Sequence, residues 1–323
     1  MPKESFKQPI KKEEPPIKEM EKKLDKAEKM VERVKEDLKE GIEEHEMVEK
    51  PVKELKKLWE ENEKEMRRQR REYETFFFSY SLPLPETSPS FLERVSNKFL
   101  KEFDWKKFEG RRFLNTDLGL FLSAFLKKNV ENYVLSQERK GVKEENIKPI
   151  EVHLNVKELP IRLDFLGYRN PKRLHLFIKG DVGLYVGCSM TGGKIEIKGN
   201  AGHYVGWKMC GGEIKIEEDA GAFVGEEMKG GEIKIEGNIE GSNTGARMRS
   251  GKIIVKGNAR NYVGWEMYGG EIKIDREVKY FDRSAFVPPN KGTIIWKGTK
   301  IWRNGNWTKE GKEMWERGEI PVE

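Results

Sequence analysis

Between Lys194 and Gly270 the chain repeats one pattern four times: KIEIKGNAGHYVGWKMCGG, EIKIEEDAGAFVGEEMKGG, EIKIEGNIEGSNTGARMRSG and KIIVKGNARNYVGWEMYGG. An earlier copy, LHLFIKGDVGLYVGCSMTGG, ends at Gly193, and a partial copy starts at Glu271. Marker glycines Gly187, Gly206, Gly225, Gly245 and Gly264 set a period of 19 residues, once 20. A unit this small cannot bury a face alone. It must stack on its neighbours as a solenoid.

Each unit opens with isoleucines alternating with Lys or Glu, the pattern of a strand with one buried face. A short apolar piece and a glycine-rich corner follow. Three short strands with tight corners in one period make a coil of a single-stranded parallel β-helix, stacked at about 4.8 Å. Equivalent residues then form ladders. Ile195, Ile214, Ile233, Ile253 and Ile272 are expected in the core, with Met190, Met209, Met228, Met248 and Met267 where the wall bends. Tyr185, Tyr204, Phe223 and Tyr262 share a position broken by Asn243, in the repeat with the extra residue. Asp181, Asn200, Asp219, Asn238 and Asn258 form a polar ladder. Stacked oxygens could hold a cation, but most of the five are amides and no calcium-binding nonapeptide is present, so turn chemistry is the preferred reading. The glycines serve positive φ or close packing of corners. None of these turns precedes a helix N-terminus, which excludes a nucleotide fingerprint.

Upstream, residues 1–17 are charged and proline-bearing and read as a disordered tail. Residues 18–80 read as a charged coiled-coil arm. One heptad seam runs through Met20, Leu24, Ala27, Val31, Val34 and Leu38, Pro51 interrupts it, and a second follows through Val52, Leu55, Trp59, Asn62 and Met66. Arg67, Arg68, Arg70 and Arg71 read as a solvated helix end rather than a nucleic-acid patch, because no stacking aromatics alternate with them. Phe76, Phe77 and Phe78 read as packing on the chain's own second domain. Residues 81–149 are a linker and helices capping the solenoid. One helix starts at Ser88-Pro89 and buries Phe91, Leu92, Val95, Phe99 and Phe103. A second, capped by Asn115-Thr116-Asp117, buries Leu118, Phe121, Leu122, Phe125, Val130 and Tyr133. Strands begin at Ile150, IRLDFLGY continues the alternation, and residues 150–323 form the β-helix and its C-terminal cap. The chain is mainly β with a helical arm.

Chemistry-bearing residues are sparse. His45, His153, His175 and His203 are scattered, and Cys188 and Cys210 sit at different repeat offsets. No nucleophile with its base or paired carboxylates can be assembled, so no catalytic, cofactor-binding or metal-binding residue is assigned and no cofactor is expected. Trp207 and Trp265 share an offset, marking either an exposed aromatic edge for a partner or corner packing. A net charge of +6, from 62 basic and 56 acidic residues, does not call for nucleic acid. With no bilayer-length apolar run, no signal-peptide pattern and only two cysteines, a soluble cytoplasmic protein is expected. Heavy Lys and Glu use suits a thermophile.

The run G-x-(Y/F)-V-G-x-x-M-x-G-G-x-I-x-I-x-G-N-A-G resembles the GXGXG β-helix domain. That domain closes the large subunit of glutamate synthase and also forms the β-helical subunit of formylmethanofuran dehydrogenase. The likeness spans about residues 115–275. Asn115-Thr116-Asp117 is similar to the start that precedes the β-helix in glutamate synthase, and Leu163–Tyr168 is similar to the formylmethanofuran dehydrogenase subunit. The resemblance implies a right-handed β-helix and a non-catalytic scaffold subunit of a glutamate synthase-like oxidoreductase. Its partners would be glutaminase and FMN/iron–sulfur chains, with no membrane involved. A free-standing adaptor that recruits partners or self-associates through the coiled coil is one alternative. A chain like the β-helical subunit of formylmethanofuran dehydrogenase is another. Residues 1–100, Glu218, Ser242 and Asn243 depart from the family pattern.

Overall fold

The computed structural model describes residues 44–68, 89–110 and 113–322. The tail, the Met20–Leu38 seam, Arg70, Arg71 and Phe76–Phe78 lie outside these residues, as do the side chains of His45, Asn62, Met66, Arg67 and Arg68.

The molecule is mainly β. Its strands are β1 (Ile150–Asn155), β2 (Leu174–Lys179), β3 (Lys194–Lys198), β4 (Glu213–Ile216), β5 (Glu232–Ile235), β6 (Lys252–Val255), β7 (Glu271–Ile274) and β8 (Thr293–Trp296). Each pairs in parallel with the next, forming the long wall of a β-solenoid. Register follows the isoleucines: Val152, Leu176, Ile195, Ile214, Ile233, Ile253, Ile272 and Ile294 form one buried ladder. Leu154, Ile178, Ile197, Ile216, Ile235, Val255, Ile274 and Trp296 form a second. The alternate side chains carry Lys and Glu to solvent, where pairs such as Lys252–Glu271 (3.2 Å) and Lys256–Asp275 (2.8 Å) lie across adjacent coils. Exposed pairs of this kind contribute little each. The wall is held by the apolar ladders and the interstrand hydrogen bonds.

The rest of each coil differs from the expected three strands. A second wall is reduced to single bridges through Ala201, Ala220, Ile239, Ala259 and Val278. The third side is a corner with left-handed residues at two non-glycine positions, for instance Tyr204 (φ 62) and Lys208 (φ 55), around Gly206 (φ 66). Extended backbone cannot accommodate three positive φ values in five residues. Gly206 is required twice over, because a Cβ there would lie 2.5 Å from Ile233 Cδ1, two repeats further along the chain. The methionine ladder is buried as expected.

Two further expectations change. IRLDFLGY holds no strand. Phe165 (φ 54) and Gly167 (φ 71) instead form the corner of the first coil, equivalent to Tyr185 and Gly187. Nor does Pro51 break the arm, since helix α1 (Glu44–Arg68) runs through it. Val48, Val52, Leu55 and Trp59 of α1 are buried against helix α2 (Pro89–Lys101) and its neighbours, with Trp59 edge-on to Phe103, Phe108 and Phe121 at 5.4–6.1 Å. Ion pairs Lys56–Glu102, Lys98–Glu102 and Lys98–Glu49 rim this contact.

Both ends of the wall are closed. At the β1 end α2 lies along the strand. Glu93 Oε2 accepts the His153 N–H (2.9 Å), Asn97 Oδ1 accepts the Asn155 N–H (2.8 Å), and Asn97 Nδ2 donates to the His153 carbonyl (2.6 Å). These side chains occupy edge groups that a further strand would take. At the other end the chain reverses into β9 (Thr299–Arg303) and β10 (Asn306–Trp307), antiparallel to β8 and β9 respectively. Helix α3 (Leu114–Arg139) packs between α2 and β2. Helix α4 (Lys309–Glu316) follows β10, capped by the Thr308 hydroxyl, which accepts from Gly311 N.

Candidate functional site

Most of the columns that could carry chemistry are accounted for by structure, beginning with the polar ladder. Asp181 Oδ1 accepts the backbone N–H of Asn200 (2.9 Å), Asn200 Oδ1 that of Asp219 (3.1 Å), and Asp219 Oδ1 that of Asn238 (2.6 Å). Asn238 and Asn258 continue the series to Asn258 N and Glu277 N. The expected turn chemistry is therefore modified: none of these residues is left-handed. Each oxygen bonds the next coil rather than its own loop. Among the described residues no group of three His, Cys, Asp or Glu could hold a metal ion.

The histidines and cysteines remain apart. His153 stacks on Phe177 at 4.7 Å, and burial on the wall pushes the His175 imidazole below its ordinary pKa. His203 Nδ1 accepts the Ala222 N–H at 2.8 Å. Cys188 is buried, and Cys210 is exposed with its Sγ 3.4 Å from the Lys208 carbonyl.

Asp164 joins two stretches that stand out separately in the sequence. Its Oδ2 accepts from Asn115 Nδ2 (2.7 Å) and Thr116 Oγ1 (2.8 Å), and its Oδ1 accepts from Leu184 N (2.7 Å). Asn115 and Thr116 thus lie inside α3 and serve Asp164, while the helix N-cap position is Phe113, with no side-chain cap bond. Ser123 adds a further link, donating to the Phe165 carbonyl (2.9 Å) and accepting from Gly167 N (3.0 Å). Gly119 is obligatory here: a Cβ would sit 1.7 Å from the Asp164 carbonyl oxygen. Burial raises the Asp164 pKa above the usual carboxylate value, opposed by the Leu184 N–H and the Thr116 hydroxyl. This is a structural knot between helix and solenoid.

The corner face holds what remains. Phe165, Tyr185, Tyr204 and Phe223 stack ring on ring at 4.6–4.7 Å with interplanar angles of 5–13°. All four have positive φ, a costly conformation for bulky side chains. It is offset by stacking and by N–H bonds to the next coil, such as Tyr204 N to Ala222 O at 2.8 Å. At the next rung Asn243 (φ 66) replaces the aromatic, and Tyr262 (φ 57) restores it one coil later. The neighbouring column runs Cys188, Trp207, Glu226, Ala246 and Trp265. Trp207 and Trp265 are half-buried. Trp207 tilts on Tyr185 at 5.6 Å under Lys208 (4.3 Å), and Trp265 lies under Arg247 (4.5 Å), so both contribute to corner packing.

Glu226 belongs to no sequence motif, although a carboxylate in a column otherwise made of Cys, Ala and Trp is itself a signal. It is 9% exposed. Burial first, then Glu227, raises its pKa, while Arg247 and Lys208 act the other way. Those cations approach Glu266 (2.9 Å) and Glu227 (3.9 Å) instead.

Comparison with family models, with curated proteins and with solved structures finds no match to this chain in any of the three.

Proposed function

We propose that this chain is a non-catalytic scaffold subunit of a glutamate synthase-like multisubunit oxidoreductase. Its solenoid would be right-handed, and its coiled-coil arm would continue upstream of α1. The observation that supports the reading is the Asp164 knot. It joins the Asn115-Thr116 start to the Leu163–Tyr168 corner, the two stretches outside the repeats that resemble the GXGXG domain. The side chains of the coils are spent on core, corners and interstrand links, which suits a frame on which separate glutaminase and FMN/iron–sulfur chains assemble. No helix among the described residues is long and apolar enough to cross a membrane, and such a complex would work in the cytoplasm. Tagged full-length protein recovered from native cells should bring down both a glutaminase and an FMN-bearing chain. Recovery of neither sinks the proposal.

A second reading, a free-standing adaptor, draws support from α1, which Trp59 anchors to the helical cap. A deletion separating the two readings must end at residue 43. Removing residues 1–80 would strip Val48, Val52, Leu55 and Trp59 from the core. Loss of every partner on deleting residues 1–43 would favour the adaptor.

A further inference from the structure

We propose that the column Lys229, Arg249 and Tyr268, continued by Lys291, is a docking stripe for an extended acidic segment of a partner protein, with one apolar side chain laid on Tyr268. This rests on the scaffold reading and identifies the chemistry of one contact on it.

The repeat places these residues one above another. Lys229 donates its N–H to the Met209 carbonyl, Arg249 to that of Met228 and Tyr268 to that of Met248, each at 2.8 Å, so the three hold one position on successive coils. The Lys291 N–H bonds the Tyr268 carbonyl at 2.9 Å, one coil further on. At about 4.8 Å per coil the stripe from Lys229 to Lys291 spans about 14 Å, the length of about four extended residues. All four side chains are exposed, Tyr268 at 45%. The residues that follow them are Gly230, Ser250, Gly269 and Gly292, so no large side chain walls the stripe on that side.

Charge then selects the partner. Two residues earlier in each coil the column runs Lys208, Glu227, Arg247 and Glu266, alternating in sign. It pairs Lys208 with Glu227 (3.9 Å) and Arg247 with Glu266 (2.9 Å). The stripe lacks that alternation. Lys229 and Arg249 stand on adjacent coils with like charge, and among the described residues neither they nor Lys291 has a carboxylate within 4 Å. Like charges directly opposite one another on neighbouring strands are destabilising, and carboxylates supplied by a partner relieve this. Arg249 lies over the Tyr268 ring at 5.5 Å, yet Tyr268 stays exposed and offers apolar surface to one side chain of the partner. A nucleic-acid strand calls for a series of open rings on which successive bases stack, and this column offers one. Complementary charge on a rigid row also fixes the register of the segment that binds it.

The test uses the full chain at low salt and the peptide fluorescein-EEFEE-amide, read by fluorescence polarisation. Saturable binding that weakens as salt rises is expected, with no binding of fluorescein-KKFKK-amide. Arg249→Glu combined with Lys291→Glu should weaken the acidic peptide about tenfold or more. Lys179→Glu combined with Lys198→Glu makes the same change of net charge on the wall and should leave binding within about twofold. Lys229→Glu alone sets an acid beside Arg249, so it should hold or raise the melting temperature while weakening the peptide. The proposal is overturned by no binding at saturating peptide, by an equal loss in the wall variant, by a melting temperature that falls on Lys229→Glu, or by tighter binding of a labelled thymidine pentanucleotide. Peptide binding together with a pull-down lacking glutaminase and FMN chains would keep the stripe and remove the scaffold reading. A pull-down of both chains without peptide binding would do the reverse.

Discussion

Replacing Asp164 by Ala is the most direct test of how the helical cap is joined to the solenoid. The carboxylate accepts three hydrogen bonds, from Asn115, Thr116 and Leu184, at 2.7–2.8 Å, and Asp164 is 3% exposed. A hydrogen bond to a charged group contributes about 1.5–3 kcal/mol, and a buried donor left unpaired costs about 1–3 kcal/mol. Asn115 and Thr116 are part-buried and can turn toward water, whereas the Leu184 N–H is fixed in the backbone. Removing the buried charge also recovers desolvation energy, so the sum is smaller than three full bonds. A net loss of about 2–4 kcal/mol is expected, read as a lower urea midpoint at unchanged slope. Asp164→Asn keeps the volume but presents one donor to a site made of donors, and should lose about 1–3 kcal/mol. The sign with pH is fixed by the raised carboxyl pKa. The folded state holds this proton more tightly than the unfolded state, so the advantage of Asp164 over Asn should grow as the pH falls from 7 through the folded pKa. It should level off below the ordinary value of 3.8. A loss under about 0.5 kcal/mol for the alanine variant, or an advantage that shrinks on acidification, would refute the reasoning.

Gly225→Ala puts a Cβ 2.5 Å from Ile253 Cδ1 at φ 67; a loss of about 2–4 kcal/mol is expected by thermal denaturation. Asn238→Ala removes the acceptor for Asn258 N at 2.9 Å and should cost about 1–2 kcal/mol in the same assay. Glu93→Ala with Asn97→Ala uncovers the β1 edge, and light scattering after size exclusion should show concentration-dependent self-association absent from the parent. At the arm, Trp59→Ala should speed hydrogen exchange throughout α1 while leaving β3–β7 protected, because the ring is 2% exposed and bridges three aromatic neighbours of the cap.

The wall is legible in the sequence because the period of two inside strands and the period of 19 between coils agree. Alternation gives each isoleucine its face, and the repeat then gives it its partner. The aromatic and methionine ladders follow from the same register. Corners are harder. Tyr, Phe, Lys and Glu at φ near +60 contradict local propensity, and only the hydrogen bonds to adjacent coils explain why the chain adopts them. IRLDFLGY reads as a strand for that reason, since its alternation of apolar residues is the same in a corner as in a strand. Pro51 misleads in the opposite sense, because the burial of Val48, Val52, Leu55 and Trp59 outweighs the loss of one backbone donor inside α1.

The periodicity breaks at the fifth corner. The extra residue of that repeat falls between Ile239 and Ser242, where Gly241 must rest on Ala222, a Cβ there lying 2.4 Å from the Ala222 backbone. Register on the wall is unaffected: Ile233 still faces Ile253, and Ile235 faces Val255. The insertion is therefore absorbed on the corner side alone. Rungs that continue uninterrupted would have added stacking contacts, yet here Asn243 and Ala246 forgo them. The gap makes one place on an otherwise periodic surface different from its neighbours.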